Sequence, residues 1–218
     1  LNGQSDISAA TRDRVREAAR RMGYVPNMAD DAIETGRAFE AEDLPYDVML
    51  CANTGVRQFC GVDEDVEQIV DESTAKVADL RWKLAGLKQA PSLNGYEYIR
   101  ALGQSAMGFN LSRRNDIYLY SSDRMIHSFA NGQMVLLDSR NGFQDLFSED
   151  EAVFYTEREE FFDKLRYYKQ NPQQRMKIAA AGHLKAHTEF SNVKVAQYMA
   201  DVLFNEDYKP SASWQILL

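Results

Sequence analysis

From Tyr46 to Phe204 short apolar runs alternate with longer amphipathic ones, and this alternation constrains the fold more than any other feature of the sequence. A strand buried on both faces reads as a continuous apolar run, while a helix lying on a sheet shows a 3.6-residue period. The runs predict strands at Tyr46–Ala52, Arg81–Leu84, Met107–Leu111, Met134–Asp138 and Ala152–Tyr155. Between them the period predicts helices at Asp63–Glu72, Tyr96–Leu102 and Asp123–Ala130, with a short turn at Phe143–Phe147. Three helices close the pattern, at Glu159–Lys169, Pro172–His187 and Asn192–Phe204, the first with Phe161, Phe162, Leu165 and Tyr168 on one stripe. Strands alternating with helices imply an α/β fold with one parallel sheet covered on both faces. No internal repeat or low-complexity tract interrupts it.

Ahead of this body, Ser8 is placed to cap a helix over Ala9–Met22, with Val15, Ala18, Ala19 and Met22 on one face and Gly23 ending it. Pro26-Asn27 opens a second short helical stretch to Thr35, closed by Gly36. Residues 38–45 have no apolar period and read as a linker between an N-terminal segment (1–37) and the body (46–208), which is followed by a tail (209–218).

The formal net charge of −8 over 218 residues excludes a uniformly basic nucleic-acid binder, because phosphate binding needs a positive field. The charge is uneven. Residues 1–27 hold five Arg against three acids, while residues 40–80 hold eleven acids against Arg57 and Lys76. Cys51 and Cys60 are too few for a disulfide framework, and no run of about 18 apolar residues offers a membrane span. No basic-then-apolar signal segment follows Leu1. These features lead us to expect a reduced, cytoplasmic protein, and the start at Leu1 a part of a longer one.

The opening stretch LNGQSDISAATRDRVREAARRMGYVPNMA resembles the second half of a lac-repressor-type helix-turn-helix headpiece. In that family LNG ends the recognition helix, S-x-x-T-R-x-R-V forms the third helix and G-Y-x-P-N leads to a hinge helix. The likeness runs to Thr35-Gly36-Arg37 and implies at most a weak DNA contact through residues 1–27. The groove-reading residues belong to the two preceding helices. Asp30, Asp31 and Glu34 also put carboxylates where the family's hinge meets phosphates.

The body resembles the C-terminal half of a group 1 glycosyltransferase of GT-B fold. The residues that carry the likeness are YDVMLCANTG (46–55), LNGYEYIRALGQSAMGFNLSRRND (93–116), YLYSSDRMIHSFANGQMVLLD (118–138), GFQDLFSEDEAVFY (142–155) and EEFFDKLRYYKQNPQQRMKIAAAG (159–182). The resemblance implies a single Rossmann-like domain that holds a nucleoside-diphosphate sugar as donor substrate, with no further cofactor and no metal. On this reading the strand near Leu111 delivers Asn110, Ser112, Arg113 and Arg114 to its carboxyl end, where open α/β sheets bind ligands. The next helix starts near Ser121-Ser122-Asp123-Arg124, so hydroxyls and free amides face the diphosphate and Arg124 adds charge. Gly132 then allows a tight turn into the following strand. Taken singly, Ser122 and Asp123 are ordinary helix caps and one of the paired arginines an ordinary solvated turn.

One departure stands out. Many retaining members carry two glutamates separated by seven residues, and the corresponding positions here are Leu119 and His127. His127 then takes the place of the ribose-binding carboxylate or simply packs on its helix, and the stereochemical outcome stays open. Ser148-Glu149-Asp150-Glu151 resembles the family's acidic turn and reads mainly as a solvated loop. His183 and His187 have the i, i+4 spacing of a metal pair without the glutamate that would follow, so a helix face is the simpler account. The catalytic residues and the acceptor are unassigned, and the acceptor-binding half is expected elsewhere. A repressor-type regulator fragment, or a fusion of two unrelated fragments, is the alternative.

Overall fold

The computed structural model describes residues 25–120 and 122–204, together with Ser8, Thr11, Asp13, Arg14, Arg16 and Glu17. Its strands are β1 (Tyr46–Cys51), β2 (Val56–Phe59), β3 (Val62–Asp65), β4 (Trp82–Ala85), β5 (Ser105–Phe109), β6 (Met134–Asp138) and β7 (Val153–Tyr155). The helices are α1 (Val66–Lys76), α2 (Gly95–Gly103), α3 (Asp123–Ala130), α4 (Arg158–Gln170), α5 (Pro172–Glu189) and α6 (Asn192–Phe204). Five strands form one all-parallel sheet in the order β4-β1-β5-β6-β7, and β2 and β3 form a separate antiparallel hairpin. This is the expected α/β, Rossmann-like architecture.

Alternate residues of each strand feed opposite faces, which is why the inner strands read as apolar runs. Val48 and Leu50 join Met107, Phe109, Leu136 and Tyr155 on one face, packed against α1, α4 and the hairpin. Phe59 is central there. Its ring lies 5.1 Å from Phe161 and 6.0 Å from Phe109, and burying it contributes about 2–3 kcal/mol. On the other face Met49 meets Ala101 and Leu102 of α2. Val135, Leu137 and Phe154 meet α3 there, with Phe147 stacked between Phe129 and Phe190. The connection from β1 to β4 therefore runs over one face and that from β4 to β5 over the other, so the winding reverses between β1 and β5.

The structure corrects two expected helices. The stretch 63–72 is split, because Val62–Asp65 pairs with Val56–Phe59 as a hairpin and α1 begins only at Val66. The Asp65 carboxylate caps α1 by accepting from the amides of Glu67 (2.8 Å) and Gln68. Cys60 and Gly61 make the hairpin turn with φ of 51° and 79°, a left-handed pair that suits a two-residue connection. The helix expected from Pro26 to Thr35 is absent. The Asp30 carboxylate takes the Ala32 amide at 2.9 Å in a local turn, and Ala29 is drawn into a parallel bridge with Ser191.

Residues 38–45, expected as a linker, carry a 3₁₀ turn over Ala38–Glu40 and lie against the body. The Ala38 amide donates to Asn131 O at 3.2 Å, and the buried Arg175 donates to the carbonyls of Ala41 and Glu42. Farther upstream, Thr11, Asp13, Arg14, Arg16 and Glu17 are helical, and Ser8 Oγ accepts from the Thr11 amide at 3.1 Å as a cap does. Val15, Ala18, Ala19, Met22 and Gly23, and the tail 209–218, lie outside the described residues. Among the described residues no helix is long and apolar enough to cross a membrane.

Candidate functional site

A doubly wound sheet opens a crevice where its winding reverses, outside the carboxyl ends of the two strands involved. Here those strands are β1 and β5. After β1 the chain turns through 52–55 and the hairpin raises Arg57 beside the crevice. After β5 it loops through 110–120, ahead of α3 at Asp123. This loop is pinned from below. Asn115 Nδ2 donates to Asp138 at 2.5 Å, the Asn115 amide donates to Gln58 Oε1 at 2.8 Å, and the Leu119 amide donates to Asn141 O at 2.7 Å.

Asn53, Arg57, Ser112, Arg113, Tyr120, Ser122 and Arg124 line a cavity of about 210 Å³ between these segments. Three guanidinium groups thus meet around one space, and among the described residues no carboxylate lines it. Arg57 is 6% exposed. Its Nη atoms donate to the carbonyls of Val56 (3.1 Å) and Asn53 (3.3 Å), while Nε has no partner. Burial, and then the neighbouring cations Arg113 and Arg124, push its pKa below the usual arginine value. Such a group is costly to bury unless an anion joins it. Ser122, the residue before α3, is equally unspent, since its hydroxyl makes no capping bond and is buried without a partner. The first amides of α3 add their partial positive charge.

A second, wider cavity of about 490 Å³ adjoins the first and shares Arg57 and Arg113 with it, adding Val56, Gln58, Asp63 and Arg114. Arg114 is occupied by Asp116, at 2.9 Å and 2.5 Å, so of the two adjacent arginines Arg113 is the one available. A cleft of about 20 Å³ lies behind Arg124, between Asn110, Cys51, Tyr98 and Ser128. It has room for about one water. Burial raises the pKa of Tyr98, whose hydroxyl is unpartnered.

Of the residues singled out from sequence, Ser112, Arg113, Ser122 and Arg124 converge on the 210 Å³ cavity, and Asn110 sits behind Arg124. Ser121 lies outside the described residues. His127 and Gly132 are not brought to the cavity. His127 points at the segment before β1, with Nε2 3.7 Å from the buried Glu34 and its ring 5.8 Å from Tyr98. Gly132 is at the far end of α3, where a Cβ would sit 2.7 Å from Phe39 Cδ1 and 2.8 Å from Ala38 N. Its φ of +79° and this close approach account for the glycine. Arg57, Asn53 and Tyr120 are the lining residues that the sequence alone did not mark.

The other clusters have structural partners. Glu151 accepts from the Ser148 amide at 2.8 Å and pairs with Lys185 at 2.9 Å. His187 contacts Asp31 at 2.5 Å and Ala130 O at 2.9 Å. No three His, Cys, Asp or Glu side chains among the described residues are grouped to hold a metal. Burial raises the pKa of Cys60 to about 12 and raises that of Cys51, so neither thiol is poised as a nucleophile.

No curated protein sequence matches the chain. A family model described as glycosyl transferase-like matches residues 59–201, which contain the β5–α3 loop, Arg113 and Arg124 and begin two residues after Arg57. That match covers more than half of the chain, and the chain belongs to this glycosyl transferase-like family.

Proposed function

We propose that the crevice between β1 and β5 binds the diphosphate of a nucleoside-diphosphate sugar, and that the chain is the donor-binding part of a glycosyltransferase. One observation carries this reading. Arg57, Arg113 and Arg124 share a cavity that no carboxylate lines among the described residues, and two of its lining residues, Arg57 and Ser122, each hold a buried polar atom without a partner. A diphosphate supplies acceptors for all of them, and charge-assisted bonds to guanidinium are the strong ones. During transfer the bond between the anomeric carbon and the diphosphate oxygen breaks, and its electron pair stays on the leaving diphosphate. The three arginines and the α3 amides stand where that charge develops. The acceptor hydroxyl and the base that takes its proton are assigned to a further domain.

Calorimetry with UDP, GDP and ADP and with their hexose conjugates tests the reading on the full chain. Saturable binding of at least one is expected, with a nucleoside diphosphate held far more tightly than the free nucleoside. Absence of binding to every one of them sinks it.

A further inference from the structure

The hairpin register sets a problem that the structure solves in an unexpected place. Arg57 on β2 lies directly opposite Glu64 on β3. Side chains so paired share a face with their Cβ atoms about 4.5–5.5 Å apart, close enough for an ion pair. No such pair forms. Both oxygens of Glu64 are taken by Arg158 at the start of α4, Nη1 and Nη2 each donating at 2.6 Å. Arg158 is held in turn by Glu72 of α1, to which Nε donates at 2.9 Å, and its guanidinium stacks over Phe59, 5.3 Å from the ring centre.

We propose that Arg158 is a positioning residue for the crevice, engaging Glu64 so that this carboxylate does not occupy Arg57. The proposal rests on the diphosphate reading given above. Two carboxylates share one guanidinium at Arg158, and the cation left over in the hairpin is Arg57, which lines the cavity and has its Nε buried without a partner. Without Arg158, Glu64 would lie beside the like-charged Glu72 with Arg57 as the cation opposite it. Glu64 would then turn to Arg57 and compete with the ligand.

Titration calorimetry of the full chain with inorganic pyrophosphate tests this. Arg158→Gln should bind pyrophosphate more weakly, on the order of tenfold, the worth of one lost charge-assisted contact. Glu64→Gln should bind like the wild type, and the double variant Glu64→Gln/Arg158→Gln should recover to within roughly threefold of it. A bracing role alone predicts the opposite pattern. Either partner's removal would then weaken binding, and the double variant would be no better than Arg158→Gln; that result overturns the proposal. If Arg158→Gln does not fold, Glu64→Gln carries the test, and a tenfold loss there overturns it as well. A wild type that takes neither pyrophosphate nor any nucleoside diphosphate removes the underlying reading. A wild type that binds, beside an Arg158→Gln that binds equally, removes the positioning role alone.

Discussion

At the amino end of β1 Asp47 accepts from Arg81 at 2.7 Å and from Lys169 at 3.0 Å, and Arg81 also reaches Asp43. A few residues on, past the carboxyl end of the same strand, Arg57, Arg113 and Arg124 gather around a cavity that no carboxylate lines among the described residues. Scarcity of acids does not explain the difference. The chain has 33 acids against 25 Lys and Arg, and the acid-rich stretch 40–80 meets its partners in Arg81, Lys88 and Arg158. Where charge serves the fold it is paired at once. At the crevice three cations line one cavity with no carboxylate among its described lining residues, at a cost in stability that a bound anion reverses.

Removing one charge from each edge separates the two arrangements. Asp47→Asn leaves Arg81 with Asp43 alone and Lys169 with only the Asp79 carbonyl, and it empties a buried carboxylate site that takes both side chains and the Arg81 amide; it should lower stability by about 3 kcal/mol in urea unfolding, without changing pyrophosphate affinity in the folded protein. The sign of its pH dependence is fixed. Hydrogen bonds from Arg81 and Lys169 outweigh burial and hold the carboxyl below the ordinary 3.8. Its stabilisation is therefore complete above about pH 4 and disappears as the pH falls through the lower folded value. Asp47→Asn should flatten that part of the acid limb. A variant as stable as the wild type would mean that the paired edge is no more than decoration.

Arg57→Met should act in the reverse sense. It removes a buried cation crowded by Arg113 and Arg124, so the thermal midpoint of the ligand-free protein should hold or rise. Affinity for pyrophosphate should fall roughly 100-fold, about 2.7 kcal/mol. If Arg57→Met unfolds as readily as Asp47→Asn, the two edges do not differ in kind.

Gly132→Ala probes a residue expected at the ligand and found at the far end of α3. With φ at +79° and Ala38 and Phe39 within 3 Å of a new Cβ, it should cost about 1–3 kcal/mol of stability. Pyrophosphate affinity should not change, and a selective loss of binding would return Gly132 to the site.

What the sequence revealed follows the same division. Four of the five sheet strands were legible because burial on both faces leaves apolar runs such as MVLL (134–137), whereas the edge strand Trp82–Ala85, mostly half-buried and broken by Lys83, gave only a short one. The hairpin was not legible, since VRQF and VDED each bury only part of one side and the Cys60-Gly61 turn lacks the usual asparagine. The acidic run was absorbed into a helix whose true cap is Asp65. Arg57 was hidden for a related reason. One of two cations among eleven acids in residues 40–80, it looks like a solvated charge until the fold brings it beside Arg113 and Arg124, more than fifty residues away. The Ser112-to-Arg124 cluster could be read because local order alone, a strand end followed by a helix start, places those residues at one edge. His127 could not be separated from it, as only the fold shows which side of α3 faces Glu34.

The smallest effect separates the two uses of a polar group within one residue. A serine at a helix start normally accepts from an amide of the first turn, and its replacement by alanine costs about 1 kcal/mol of stability. Ser122 makes no such bond, and its hydroxyl is buried without any partner beside three arginines. Ser122→Ala should therefore leave the unfolding midpoint unchanged while weakening pyrophosphate binding roughly fivefold, the worth of one hydrogen bond of about 1 kcal/mol. The reverse outcome, a drop in stability with binding intact, would show that the hydroxyl caps α3 in solution.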